Sequence, residues 1–396
     1  MTVTIFPSRP AGIIKAPPSK SMAHRLLICA GLAQGESTVY GIAPSEDLLA
    51  TTDCLRELGA EVDLKDMTAA VQGCDPMKSG PSVFHCRESG SSLRFFAPLC
   101  ALSGKEAVLE GSEALLRRPL DVYETLFRER GLRFERDTRR LTLCGPLPPG
   151  LYALPGDVSS QFVSGLLCAL PLLSGNSTLH LLPPVESRAY IDMTVAALGS
   201  FGVTVRWRDE LTLEIPGGQH YRPRAAEAEG DWSNAAFFLA MGVAVTGLDC
   251  ASLQGDRVCS DCFAALDAGM AELDLSGCPD LGPLLMAYAA ERSGAVFTGT
   301  RRLRLKESDR GAAMAEELEK FGVSVHVGEN EITVSGGART PTETLCGHND
   351  HRIVMALAVL CARTGGTIAG AEAVRKSFPD FFDRMKDLGI KLEISR

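Results

Sequence analysis

The sequence lacks a surplus of positive charge, a low-complexity run, an apolar stretch of membrane-spanning length and a cysteine framework. Lys and Arg number 40 against 49 Asp and Glu, a net charge of −9, so nothing draws in a polyanion non-specifically. A broad nucleic-acid surface and a polybasic membrane footprint are thereby excluded, and any bound anion must be held by a local cluster. The longest apolar stretches, Phe162 to Leu173 and Ala235 to Leu248, are broken by Gly, Ser or Pro and fall short of the roughly 20 residues that span a bilayer. Met1 to Pro7 has no charged segment leading into an apolar one, so no signal peptide is expected. Thirteen cysteines, an odd number scattered through apolar segments, suit reduced core thiols in a cytoplasmic, soluble protein. The one CxxC, Cys259 to Cys262, has no second CxxC or His pair at ligand spacing, so two ordinary thiols near a helix start are expected there and no metal.

What is present is globular: 396 residues, 45% hydrophobic and 22% charged, enough for two domains of roughly 150 to 220 residues. The stretch Pro17-Pro18-Ser19-Lys20-Ser21-Met22-Ala23-His24-Arg25 sets the grammar of the chain. Two prolines stop what precedes, Ser19 or Ser21 can cap, and an apolar run from Leu26 to Leu32 follows, so a helix should begin here. Lys20 at its positive end and Arg25 about one turn inside outline an anion site with the free N–H groups. Similar small-polar turns into apolar helices recur at Glu88 to Phe96, Gly156 to Val163, Gly230 to Phe238, Cys278 to Leu285 and Gly347 to Met355. These are six starts, mostly about 70 residues apart.

A second recurring piece is a helix that ends in Gly and runs into alternating strands, as at Gly59, Gly131, Gly202, Gly322 and Gly389. Each unit therefore reads strand, helix, strand, helix, then a pair of strands, with five clear units and one abbreviated near Leu248 to Leu275. About thirteen residues before each of those glycines stand Arg118, Arg188, Arg310 and Lys376, with Glu46 the exception. Basic residues oppose the macrodipole at a helix start, so a shared anionic ligand explains them better than helix stability does. The densest chemistry is Lys306-Glu307-Ser308-Asp309-Arg310, where Glu307 lies between two cations and can place a proton beside a bound anion. Asp280 is a second candidate carboxylate, in a position where a plain helix-start Asp is also common. His348 to Arg352 gathers two imidazoles and a guanidinium, and Arg352 suits an anion better than a metal.

Pro18-Ser19-Lys20-Ser21 with Arg25, Arg118-Pro119, Ser159-Ser160-Gln161, Ser187 to Tyr190, Lys306 to Arg310, Asp350 to Arg352 and Lys376 to Pro379 together resemble the 5-enolpyruvylshikimate-3-phosphate synthase family over essentially the whole chain. The resemblance implies an α/β fold: a two-domain inside-out α/β barrel of six βαβαββ units, three in pseudo-threefold symmetry per domain, with the active site in the cleft. One domain would hold residues 19–229 and the other residues 1–18 with 230–396. The implied reaction moves the enolpyruvyl group of phosphoenolpyruvate to the 5-hydroxyl of 3-phosphoshikimate by addition and elimination, in a cytoplasmic monomer of the shikimate pathway. No cofactor or metal is implied.

By that resemblance Asp280 takes the hydroxyl proton, Glu307 handles the proton at the methylene carbon, and Lys20 polarises the reacting oxygens. Lys20, Ser21, Arg25, Ser159, Ser160, Gln161, Ser187, Tyr190, Asp280 and Lys306 would hold 3-phosphoshikimate. Lys20, Gly90, Arg118, Gln161, Arg310, Arg352 and Lys376 would hold phosphoenolpyruvate. The loop departs from the commonest pattern at Glu88, Ser91 and Phe95, which puts sensitivity to the family's inhibitor glyphosate in question, while Gly90 keeps close backbone approach open. Arg302 replaces an Asn that some members place at the acceptor, so that contact is not carried over. Two rivals remain. The related transferase acting on UDP-N-acetylglucosamine has Lys-Asn where this chain has Lys20-Ser21, and a reactive Cys near Leu115 to Arg118 that is missing here. A non-catalytic phosphoanion sensor would lack Asp280 or Glu307, and both are present.

Overall fold

The computed structural model describes residues 1–80 and 82–395. The six expected helices all form: Lys20–Leu32, Gly90–Cys100, Ser160–Ala169, Trp232–Ala240, Gly282–Glu291 and His351–Thr364. Five are capped by a side-chain oxygen that accepts a backbone N–H: Ser19 from Met22, Ser89 from Ser92, Ser159 from Gln161, Asp231 from Asn234 and Asp350 from Arg352. The helix after Cys278 instead follows a short 3-10 turn, Pro279–Leu281, which carries Asp280. These helices are apolar nearly all round, and residues 353 to 362 of His351–Thr364 are all buried. A helix without a polar face has to lie inside.

The chain divides into two compact units, Met1–Pro17 with Gly230–Arg396, and Pro18–Glu229. Each has its own hydrophobic core. In both, three of these helices occupy the interior and the sheets lie outside, the inside-out arrangement. The sheets among the described residues are six, five four-stranded and one two-stranded. In Pro18–Glu229, Ser82–His85 runs parallel to Glu106–Glu110, which pairs antiparallel with Arg140–Cys144, itself antiparallel to Arg133–Arg136. Burial alternates along Glu106–Glu110, with Ala107 and Leu109 inward, as a sheet with one solvated face requires. Leu151–Pro155, Ser177–Leu182, Thr212–Ile215 and Arg206–Trp207 repeat the pattern. The third copy takes its first strand from the far end of the unit, where Ala225–Glu227 pairs parallel with Glu36–Tyr40.

In the other unit Ala271–Asp274, Gly294–Thr298, Glu331–Ser335 and Val325–Val327 make a complete copy. The C-terminal copy is completed by the N-terminus, Thr2–Ile5 lying antiparallel between Gly366–Ala369 and Leu392–Ser395. The abbreviated copy is Ile13–Lys15 parallel to Ala244–Thr246. Its second helix, Cys259–Asp267, leads directly into the strand Ala271–Asp274 of the next sheet, so no hairpin intervenes. Rings lock this core: Phe238 lies 5.8 Å from both Phe378 and Phe381, centroid to centroid, and aromatic pairs at such distances add to area burial.

Candidate functional site

In Pro18–Glu229 the three interior helix starts are linked by polar contacts. Lys20, the first residue of its helix, donates from Nζ to Asp47 Oδ2 at 2.8 Å. Asp47 belongs to the helix that begins at Glu46, where the basic pattern fails, and Glu46 itself accepts from Arg87 at 2.6 Å. The Asp47 carbonyl accepts from Ser92 Oγ (3.5 Å), which also bonds Ser89 Oγ and Thr51 Oγ1, both at 2.8 Å. At the next start, Gln161 Nε2 donates to Ser91 Oγ (2.9 Å) and its Oε1 accepts from Arg94 Nη1 (2.6 Å). A Cβ on Gly90 would stand 2.9 Å from Arg118 Nη1, 3.2 Å from Arg94 Nη1 and 3.7 Å from Gln161 Oε1. Gly90, Arg118 and Gln161 are thus brought together with a fourth residue, Arg94, that the sequence reading missed. Its signal was a lone guanidinium in the apolar run Leu93 to Phe96, buried against the Phe162 ring at 5.0 Å.

Arg25 is buried, and its donors go to neutral oxygens: Thr194 Oγ1 (2.8 Å), the Ser21 carbonyl (2.6 Å), the Tyr190 carbonyl (2.8 Å) and Ser164 Oγ (3.4 Å). Burial lowers its guanidinium to about 10, yet it remains cationic at neutral pH with no carboxylate in ion-pair contact among the described residues. A buried positive charge compensated only by dipoles favours an incoming anion. Ser159 caps its helix and Ser160 is its first residue, while Ser187 precedes Arg188–Ser200 in a left-handed conformation (φ 54°). Arg188 leaves the basic pattern: it stacks on Trp207 at 4.1 Å and donates to the Glu210 carbonyl at 2.9 Å. Arg118 and Lys376, unlike Arg188, are not first helical residues, but sit at the ends of short turns ahead of their second helices.

In the other unit Arg310, first residue of Arg310–Lys320 and buried, is the hub. Its Nη1 donates to Asp280 Oδ1 (2.8 Å), its Nη2 to Glu307 Oε2 (2.7 Å), and its Nε to Asp350 Oδ2 (2.9 Å). Burial would lower its pKa, but Asp350, Glu307 and Asp280 raise it instead. Asp280 also faces Lys306 Nζ at 3.1 Å and Arg352 Nη2 at 3.9 Å. Its own burial would raise its pKa, but Lys306, Arg310 and Arg352 hold the carboxyl well below the usual range. Burial lowers the Lys306 ammonium, opposed by Asp280 and helped by Arg302 and Arg310.

Arg352 donates to the Ser233 carbonyl at 3.2 Å and lies 5.8 Å from the Phe237 ring, and its buried Nε has no hydrogen-bond partner among the described residues. Lys376 Nζ donates to the Asn349 carbonyl at 2.7 Å. Asp350, which sequence marked as part of a motif, is fully buried and serves twice, as helix cap and as counter-ion. His348 turns away from the helix start and bonds Glu317 instead, 2.8 Å from Nε2 to Oε1. Cys259 and Cys262 are buried in a helix, and burial pushes both thiols up, that of Cys259 to about 12, so neither is a ready thiolate nucleophile.

Each unit thus carries a cluster of cations and hydroxyls at its helix starts, and one of them adds two carboxylates bridged by a single guanidinium. Such an array can bind anionic oxygens and move protons. The family model for EPSP synthase (3-phosphoshikimate 1-carboxyvinyltransferase) matches residues 6–385. A 3-phosphoshikimate 1-carboxyvinyltransferase from Clostridium kluyveri is 37% identical, with 99% of this chain and 98% of that protein covered. One from Clostridium acetobutylicum is 36% identical over 98% and 97%. A solved structure of EPSP synthase from Acinetobacter baumannii superposes over the whole of both chains with a TM-score of 0.80 at 24% identity. Among the described residues no helix is long and apolar enough to cross a membrane.

Proposed function

The chain belongs to the EPSP synthase (3-phosphoshikimate 1-carboxyvinyltransferase) family, and from that premise we propose that it transfers the enolpyruvyl group of phosphoenolpyruvate to the 5-hydroxyl of 3-phosphoshikimate and releases phosphate. The observation that carries it is the bridge of Asp280 and Glu307 by Arg310 beside Lys306 and Arg352. The reaction needs one group to take the hydroxyl proton and another to deliver a proton to the methylene carbon, so two carboxyls in different states are wanted.

Asp280 is ionised at neutral pH but held low by three cations, which makes it a weak base in the free protein. Substrate anions draw Lys306, Arg310 and Arg352 to themselves, so the field on Asp280 falls and its basicity rises when the hydroxyl arrives. Glu307 then handles the methylene proton, and Lys20 polarises the reacting oxygens. Arg118, Arg310, Arg352 and Lys376 hold the carboxylate and phosphate of phosphoenolpyruvate, with Gly90 giving close backbone approach and Gln161 between the substrates. Arg25, whose charge no carboxylate among the described residues offsets, sets the field around 3-phosphoshikimate, which Ser21, Ser159, Ser160, Ser187, Tyr190 and Lys306 contact. Thirteen unbridged thiols suit a cytoplasmic protein, and a monomer is part of the same reading.

The test is Glu307→Gln, measured for 3-phosphoshikimate binding by calorimetry and for turnover by phosphate release. Binding within about threefold of the parent with turnover lowered by about a hundredfold or more is expected for a lost proton-transfer group. Near-normal turnover would overturn the role of Glu307.

A further inference from the structure

Glu317 lies two turns beyond Arg310 on the same helix, is wholly buried, and takes no part in the chemistry above. Both of its oxygens are engaged by the segment that precedes the helix His351–Thr364. Oε1 is 2.8 Å from His348 Nε2, and Oε2 accepts the Cys346 backbone N–H at 2.9 Å. Lys320 Nζ donates to both at 3.0 Å.

The segment so held is strained. His348 and Asn349 are consecutive non-glycine residues in the left-handed region, at φ 47° and 51°. Such a pair persists only where its surroundings over-determine it. The next links are functional in the reading above: the Asn349 carbonyl accepts from Lys376, and Asp350 accepts from Arg310. The helix Arg310–Lys320 therefore grips the turn at two points, through Arg310 at its start and Glu317 near its end.

We propose that Glu317 and His348 form a positioning latch that fixes the strained turn 347–350 and thereby aims Lys376 at phosphoenolpyruvate, an inference that rests on the assignment of Lys376 to that substrate. The groups facing His348 are Glu317, Glu316 and Lys320 from the helix and the Cys346 sulfur, which its backbone N–H approaches at 3.4 Å. The bond to Glu317 raises the His348 pKa, with Glu316 assisting and Lys320 opposing. The latch is therefore strongest below the ordinary imidazole value of about 6.5 and weakens as pH climbs through the raised value.

The experiment is steady-state kinetics with both substrates at pH 6 and pH 8 for the parent, His348→Asn, Glu317→Gln and Lys376→Met. Asn tolerates the left-handed region, so His348→Asn removes the imidazole without adding backbone strain. It should raise the KM for phosphoenolpyruvate by roughly three- to tenfold at pH 6, with kcat and the KM for 3-phosphoshikimate little changed. That effect should shrink as pH rises through the raised pKa of His348, where the parent latch itself loosens. Glu317→Gln should follow the same split. A raised KM in Lys376→Met with none in His348→Asn at pH 6 overturns the latch alone. An unchanged KM in Lys376→Met overturns the assignment of Lys376 and the latch with it. Equal increases for both substrates, or no pH dependence of the increase, reduce the pair to general stability and refute positioning.

Discussion

Replacing Asp350 by Asn separates two roles that one buried side chain performs. The carboxylate accepts from Arg310 Nε (2.9 Å), Ser308 Oγ (3.0 Å) and the Arg352 backbone N–H (2.9 Å), and has no solvent exposure. Asn keeps an oxygen for the helix cap but removes the charge facing a buried guanidinium. Breaking a buried pair from one side costs about 3–5 kcal/mol. Asp280 and Glu307 still face Arg310, so the lower end, about 3 kcal/mol, is expected. Asp350→Ala should cost about 1 kcal/mol more for the lost cap. The chain has two tryptophans, one per unit: Trp207 in Pro18–Glu229 and Trp232 in the other. In a Trp207→Phe background, urea unfolding followed by fluorescence then reports the unit that contains Asp350. With a slope of about 2 kcal/mol/M, Asn should lower the midpoint by roughly 1.5 M and Ala by about 2 M. A shift below about 0.3 M for Asn, or equal shifts for both variants, would refute the separation of counter-ion from cap.

Other outcomes follow from the same contacts. Lys20 and Asp47 form a partly exposed pair, so Lys20→Met should cost at most about 1 kcal/mol of stability while lowering turnover by about a hundredfold; a lower melting temperature with normal turnover would return Lys20 to a structural role. Burial holds the His24 imidazole well below its ordinary pKa, with Lys20 and Arg25 adding to the effect. The unfolded chain therefore takes up a proton that the fold does not, and Pro18–Glu229 should lose stability as pH falls below about 6.5. His24→Gln should flatten that dependence when Trp207 is monitored in a Trp232→Phe background, and an unchanged slope would contradict it. A methyl on Gly90 would press on Arg118 and Arg94, so Gly90→Ala should raise the KM for phosphoenolpyruvate by about tenfold at near-constant stability; an unchanged KM would show that the two guanidinium groups yield freely.

Much of this architecture is legible in the sequence because both of its signals are local. A capping residue before an apolar run marks each interior helix, and Gly at a helix end marks each hairpin, so the five full copies and the short one can be read in order. What escaped depends on pairing across the fold. Asp47 meets Lys20 from another helix, and nothing in its own neighbourhood distinguishes it from an ordinary first-turn acid. Arg188 lies at a similar spacing to Arg310 before its helix-ending Gly, yet a tryptophan on its own hairpin claims it. His348 stands three residues before His351, but two left-handed residues turn its ring toward Glu317 instead of the helix start. Spacing places backbone positions at a site, and side-chain direction decides which of them face it.

The most direct measurement is phosphate release from phosphoenolpyruvate by the purified protein, with 3-phosphoshikimate or UDP-N-acetylglucosamine as acceptor. Release that depends on 3-phosphoshikimate, and none with the nucleotide sugar, is expected. Release with UDP-N-acetylglucosamine alone, or with neither acceptor, would contradict it.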